Sequence, residues 1–408
     1  MNCIDLFAGA GGLTEGFIQA GYNVLVHIEK EYPATLTLKT RLAYYYLKKT
    51  HNLKVYKQYL KGEITRETFY SFIPKEILNS VINQEISNES IYEIFDKFDK
   101  IIGEQKIDIV IGGPPCQAYS IVGRSRLKEK VNTDDRNYLY KQYLKFLEKY
   151  QPSVFVFENV RGLLSAQGGL LLPKIIKEME SFGYIVEKQL LDAKDFGVPQ
   201  TRKRLIIIGW KKDLDFSYPK FEVIKNEITI NELFQDLPPL KPGESILYRK
   251  NEKLNNKKAL LETNILDEEC NILTQHIARP HNARDLEIYS IGIKEMNEGK
   301  ILKYNNNTIP QHLKTHKNLS SFLDRFKVVN GNGICHTMVA HIAKDGHHYI
   351  HPDANQNRSI SLREAARIQT FPDSYYFENS RTAALTQIGN AVPPLMAKII
   401  AEKIKEAF

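Results

Sequence analysis

The sequence predicts an α/β fold in which a doubly wound, mostly parallel sheet carries a smaller irregular domain. Three observations lead there. Short apolar runs alternate with segments of helical spacing over the first half of the chain. The first two runs enclose a glycine-rich turn and end in an acid, Glu29. From about residue 213 to 360 the alternation stops and the chain turns polar, rich in Asn, Lys and His.

Residues 2–7 are a short apolar run bounded by glycines, which suits a fully buried strand. Gly9, Gly11 and Gly12 form the turn, and a helix-like segment follows that ends at Gly21, a suitable C-terminal cap. A second strand, 24–28, leads to Glu29. Such a unit binds a nucleotide-like cofactor: glycines allow close approach, and the carboxylate accepts from ribose hydroxyls. The turn reads GAGG rather than GxGxxG, so a dinucleotide is not indicated.

Residues 39–79 are Lys- and Tyr-rich with helical spacing and read as an inserted helical pair with core-facing aromatics. Strands are expected at 107–111, 153–157, 184–191 and 204–210, and helices at 138–150 and 171–182. In a doubly wound sheet ligands lie at the carboxyl ends of the strands. Glu29, Cys116 and Glu158 each sit just past a predicted strand, so they share one edge. The closing stretch, 391–408, is an amphipathic helix with lysines in its final turns.

Composition bounds the function more loosely. The 408 residues carry a net charge of +8, which modestly favours a polyanionic partner. No apolar run reaches membrane-spanning length, and neither a transmembrane span nor a signal peptide is expected, so the expected location is cytoplasmic. The four cysteines lie far apart with no CxxC pair, which points to reduced thiols rather than disulfides or structural zinc. Five of the eleven histidines fall within 336–351, but their spacing matches no common zinc pattern and no metal is expected.

Six short motifs stand in one order: DLFAGAGGL (5–13), GGPPCQAYS (112–120), ENV (158–160), QTRKR (200–204), REAARIQTFPD (363–373) and GNAVPP (389–394). Together they resemble the cytosine-C5 DNA methyltransferase family at both ends of the chain. The resemblance implies a Rossmann-like S-adenosylmethionine-dependent methyltransferase domain over 1–212, a target-recognition domain over 213–360, and a segment, 361–408, returning to the first domain.

The implied chemistry suits the residues. Cytosine C5 is a poor nucleophile until a thiolate adds at C6, and cysteine is both nucleophilic and readily expelled, so Cys116 is the candidate nucleophile. Glu158 would hold or supply a proton at cytosine N3. Arg202 and Arg204 alternate on an extended segment and share a face; in the family this pair orients the glutamate and holds the cytosine or the backbone.

For S-adenosyl-L-methionine, resemblance implies Phe7 on the adenine side, Gly9, Gly11, Gly12 and Leu13 around the methionine portion, and Glu29 on the ribose. By the same resemblance Pro115 would lie near the reactive end and Asn390 would close the pocket. Glu85 and Ile86 are the expected counterparts of an Asp-Ile pair, with Glu replacing Asp, and Lys30 stands where some relatives keep a large apolar residue.

The expected partner is double-stranded DNA, whose target base must be flipped out to be reached. The polar loop 121–137 would close over it, with Arg124 and Arg126 on phosphates. Arg279, Arg284, His341 and Lys344 are candidate DNA contacts in the recognition domain, where Asp345-Gly346 suggests a hairpin joining 335–343 to 348–350. A monomer is expected, with a cognate restriction endonuclease acting separately and no membrane partner. Two alternatives stay open: an RNA (tRNA) cytosine-C5 methyltransferase and a catalytically silent DNA-binding regulator.

Overall fold

Seven apolar segments assemble into one sheet in a computed structural model that describes residues 1–115, 139–224, 228–250, 257–315 and 318–408. They are β1 (Asn2–Leu6), β2 (Asn23–Glu29), β3 (Val81–Asn83), β4 (Ile109–Gly112), β5 (Val154–Val160), β6 (Tyr184–Asp192) and β7 (Lys203–Lys211). Their order is β3-β2-β1-β4-β5-β7-β6. β1 to β5 pair in parallel, while β7 runs antiparallel to both its neighbours.

The period-two alternation of strand side chains separates two cores. Val110, Phe155, Phe157 and Ile207 face one side, against the helices Ile91–Ile102, Leu139–Tyr150 and Leu171–Ser181. Ile109, Ile111, Val156 and Ile208 face the other, against the helices Gly12–Gln19 and Pro394–Glu406. These last two helices meet backbone to backbone. A Cβ on Gly12 would strike the Val392 carbonyl, and one on Gly16 the main chain at Lys398. The C-terminal segment thus returns to the sheet, which is doubly wound and mainly parallel.

The insertion holds four helices rather than a pair: Tyr32–Lys49, Leu53–Leu60, Arg66–Ser71 and Lys75–Asn79. Its aromatics do face a core, made by Tyr44, Tyr56 and Phe69 together with Cys270 and Ile272. Arg41 is buried here, paired with Glu15 at 2.6 Å and stacked 4.1 Å from the Tyr44 ring centre. The Tyr44 hydroxyl donates to Asp267, so the insertion is tied both to the helix Gly12–Gln19 and to the irregular stretch 213–360.

That stretch contains a two-stranded antiparallel sheet, β8 (Ser245–Lys250) with β9 (Ile272–Ile277), and the helix Ala283–Asn297. The hairpin expected around Asp345-Gly346 does not form. Ala340–Ala343 is a 3-10 turn instead, Cys335 bridges to Gln200, and Ile350 bridges to Val328 and Ser359. Pairing partners elsewhere in the chain outcompete the local turn. The REAARIQTFPD segment is a buried staple: Arg367 binds Asp236 and Asp373, each at 2.6 Å, and Arg358 binds Glu364 at 2.7 Å. Among the described residues, no helix is long and apolar enough to cross a membrane.

Candidate active site at the carboxyl edge of the sheet

Two clusters lie at the carboxyl ends of β1, β2, β4 and β5. The first is built by the turn after β1. Phe7 (φ 56°), Gly9 (φ 56°) and Gly11 (φ 81°) all adopt left-handed backbone, which reverses the chain tightly before the helix at Gly12. The Gly9 amide donates to Glu29 Oε2 at 2.8 Å and the Glu31 amide to Oε1 at 2.8 Å, so both carboxylate oxygens are aimed by main chain. Burial raises the Glu29 pKa against those two amides. A Cβ on Gly9 would meet nothing within 4 Å, so the turn opens onto free space beside this carboxylate. Beneath it, Asp5 accepts from the Thr14 hydroxyl, and burial pushes its pKa up to about 7.

Leu13 is buried under the turn and Ile86 lies in the sheet core. Glu85 follows β3, exposed and paired with Lys30 at 3.1 Å. Asn83 fixes this corner by donating to the carbonyls of Glu29 (3.0 Å) and Lys30 (2.9 Å). Lys30 therefore turns toward Glu85. Asn390 is exposed at the end of the helix Arg381–Asn390.

The second cluster centres on Glu158 in β5. Arg204 enters from the neighbouring strand β7, and its Nε lies 2.8 Å from Glu158 Oε1, with side-chain exposures of only 11% and 13%. Burial lowers the Arg204 pKa and the Glu158 carboxylate opposes that shift. Gly113, just past β4, lets Glu158 approach: a Cβ there would stand 2.6 Å from Glu158 Oε2. Asn159 Nδ2 donates to the Pro114 carbonyl at 3.1 Å and ties β5 to the Pro114-Pro115 turn. Cys116, Arg124 and Arg126 lie outside the described residues.

Arg202 goes elsewhere. It is fully buried and donates to the carbonyls of Met338, Gly389 (3.2 Å), Asn390 (3.4 Å) and Ala391 (2.7 Å). It thus clamps β7 to the 3-10 turn region and to the segment bearing Asn390, while Arg204 alone reaches Glu158. Arg279 is likewise engaged by main chain, donating to the carbonyls of Ala343 (2.7 Å) and Lys344 (2.9 Å). Arg284 pairs with Asp285 at 3.0 Å and donates to Thr315 at 3.0 Å. His341 and Lys344 are exposed.

Gly113 and Asn159 escaped the sequence reading, although each sits inside a motif that it used. A further polar network, in which the Tyr289 hydroxyl meets His347 Nδ1 at 2.7 Å and His281 Nδ1 at 3.3 Å, joins residues whose distance in sequence hides their proximity.

Comparison with known proteins adds to this geometry. A profile of C-5 cytosine-specific DNA methylases matches residues 1–64 and 56–406. The type II methyltransferase M.Bpa9945I of Bacillus paralicheniformis is 42% identical over 443 aligned residues, covering 100% of this chain and 99% of that protein. M.DdeI of Desulfomicrobium norvegicum is 31% identical, covering 100% and 89%. Among solved structures, an E. coli chain described as a prophage-encoded DNA modification methyltransferase is similar with a TM-score of 0.67 at 23% identity, over 100% of this chain and 99% of that one. That last likeness concerns the fold.

Proposed function

The chain belongs to the C-5 cytosine-specific DNA methylase family and is a DNA cytosine methyltransferase, and from this premise we propose how its residues carry the reaction. The substrate is a cytosine flipped out of a specific duplex sequence, methylated at C5 through a covalent Cys116–C6 adduct, in a restriction–modification setting in the cytoplasm.

The observation that carries this reading is the Glu158–Arg204 pair, held against Gly113, three positions before Cys116 in the sequence. Arg204 keeps the Glu158 carboxyl in one orientation, and Glu158 holds a proton at cytosine N3 as the ring is attacked. The Cys116 thiolate forms a bond to C6, and the C5=C6 electron pair becomes available at C5 for the methyl group. Loss of the C5 proton to a base returns its electron pair to the ring, and the sulfur leaves as thiolate. Arg202 serves as a positioning residue, because its carbonyl clamp ties the Asn390 segment to β7.

S-adenosyl-L-methionine fits the first cluster, where the open face of Gly9 adjoins a carboxylate already aimed by two amides. Phe7, Gly9, Gly11, Gly12, Leu13, Glu29, Glu85, Ile86, Pro115 and Asn390 would hold it, and when bound it supplies an electrophilic methyl group. Glu29 offers its carboxylate to the ribose hydroxyls. Ile86 gives the adenine an apolar wall. Lys30 is drawn off toward Glu85.

The test is a covalent trap. Plasmid DNA carrying 5-fluorocytosine is incubated with the protein and S-adenosylmethionine, and a denaturation-resistant adduct is sought and mapped. Fluorine cannot leave as a proton does, so the adduct should persist and should disappear in Cys116→Ala. An adduct on RNA alone overturns the DNA substrate, and none on either polymer overturns the covalent mechanism.

A further inference from the structure

The inserted helices leave one charged feature that the reaction does not use. The helix Leu53–Leu60 and strand β8 border an open groove of about 300 Å³ lined by Lys54, Lys57, Gln58, Lys61, Glu63, Tyr248 and Lys250. Four lysines face one carboxylate there, and that carboxylate, Glu63, lies 3.3 Å from Lys61. Lys57 donates to the Glu269 carbonyl at 3.1 Å, which leaves its charge uncompensated by that bond. Lys54 and Lys250 are exposed and have no carboxylate partner among the described residues. Lys61 lies 5.5 Å from the centre of the Tyr248 ring, and that ring is packed into the aromatic core of the insertion. Concentrating like charges costs free energy unless a polyanion neutralises them.

We propose that this groove grips the phosphate backbone of duplex DNA flanking the methylated site. The inference rests on the reading of the chain as a DNA methyltransferase and adds a contact surface away from the cleft. One wall, β8, belongs to the irregular domain, so a phosphate held there lies beside the element expected to read bases. The other wall belongs to the insertion, which leaves the sheet at β2. In the strand order β2-β1-β4-β5, the strand from which the insertion leaves stands three strand spacings, about 14 Å, from the strand bearing Glu158. A groove carried on that insertion is placed to take phosphates outside the flipped base pair rather than at it.

The test uses the full chain and the K54Q/K61Q/K250Q variant. Duplexes are centred on the site mapped by the fluorocytosine trap, with flanks of about 3 or about 15 base pairs, and affinity is followed against salt. Each lost phosphate contact removes about 0.9 from the slope of log affinity against log salt, so the variant should lose about 2.7 on the long duplex and keep its slope on the short one. Its thermal midpoint and its methylation rate at saturating short duplex should match the parent. Equal slopes for parent and variant on the long duplex overturn the proposal, as does an equal loss on both lengths. A parent chain that gives no adduct on DNA overturns the covalent reading on DNA underneath; unchanged slopes in a methylating enzyme overturn the groove alone.

Discussion

Replacing Gly113 by alanine isolates the hold that the end of β4 has on Glu158. The new methyl carbon would lie 2.6 Å from Glu158 Oε2, whereas ordinary contact begins at 3.4 Å, so the carboxylate must retreat by about 0.8 Å. The atom that yields is the tip of a side chain rather than backbone, so the fold should absorb the change. A retreat of that size, where it carries Oε1 directly away from Arg204, lengthens the 2.8 Å Nε–Oε1 contact to about 3.6 Å, beyond hydrogen-bonding range. A hydrogen bond between charged groups contributes about 1.5–3 kcal/mol. If the orientation it enforces is needed mainly in the transition state, kcat should fall roughly 10- to 150-fold. The assay is single-turnover methyl transfer to plasmid DNA, with cofactor affinity and thermal midpoint measured on the same protein. Loss of kcat with the other two unchanged is the expected result. A kcat within about twofold of the parent would show that the Glu158–Arg204 geometry is not what the reaction uses.

Glu158→Gln keeps the shape but removes both the charge facing Arg204 and the proton at N3, and kcat should fall by about 10² to 10⁴ with cofactor affinity kept; a rate near the parent's would remove Glu158 from the chemistry. Arg202→Leu removes the donor to the buried carbonyls of Met338, Gly389 and Ala391, of which Ala391 keeps Gln369 at 3.4 Å, and should cost about 3–5 kcal/mol of stability, read as a lower denaturation midpoint, where an unchanged midpoint contradicts the clamp. Stability should also fall on acidification from about pH 6.5 toward 4. Burial holds His27, His281 and His351 at a pKa of about 4 against an ordinary 6.5, so the unfolded chain protonates first and is favoured as pH drops. Asp5 acts in the opposite sense: raised to about 7, its contribution is present below its unfolded value and is lost as pH rises through 7. Burial also raises Glu29, and it lowers His276, His336 and His348 as well, so two carboxyls stand against six imidazoles and leave a net loss in acid; thermal midpoints that stay level or rise from pH 7 to 5 would contradict it.

What could be read without coordinates was local. Strand positions followed from apolar runs and the turn after β1 from its glycines, because side-chain burial and left-handed backbone act within a few residues. Glu29 and Glu158 could be nominated for the same edge because parallel strands present their carboxyl ends together. The family could be read from six motifs, since each chemical task restricts a few adjacent residues.

Only the tertiary structure decided how the two arginines of QTRKR divide. Alternation put Arg202 and Arg204 on one face, yet Arg204 meets a carboxylate across one strand pairing, whereas Arg202 meets carbonyls 136 to 189 positions away. The same holds for Arg279, an isolated cation in sequence that is engaged by the carbonyls of a 3-10 turn. It holds again for the lysine groove, whose walls are a helix near residue 57 and a strand near residue 248. A buried cation takes whatever acceptors the packed chain leaves unpaired beside it, and an open surface collects charge from segments that folding brings together. Sequence therefore nominated the candidate residues and placed Glu29 and Glu158 along the sheet; packing decided that Arg204 reaches Glu158 and that Arg202 does not.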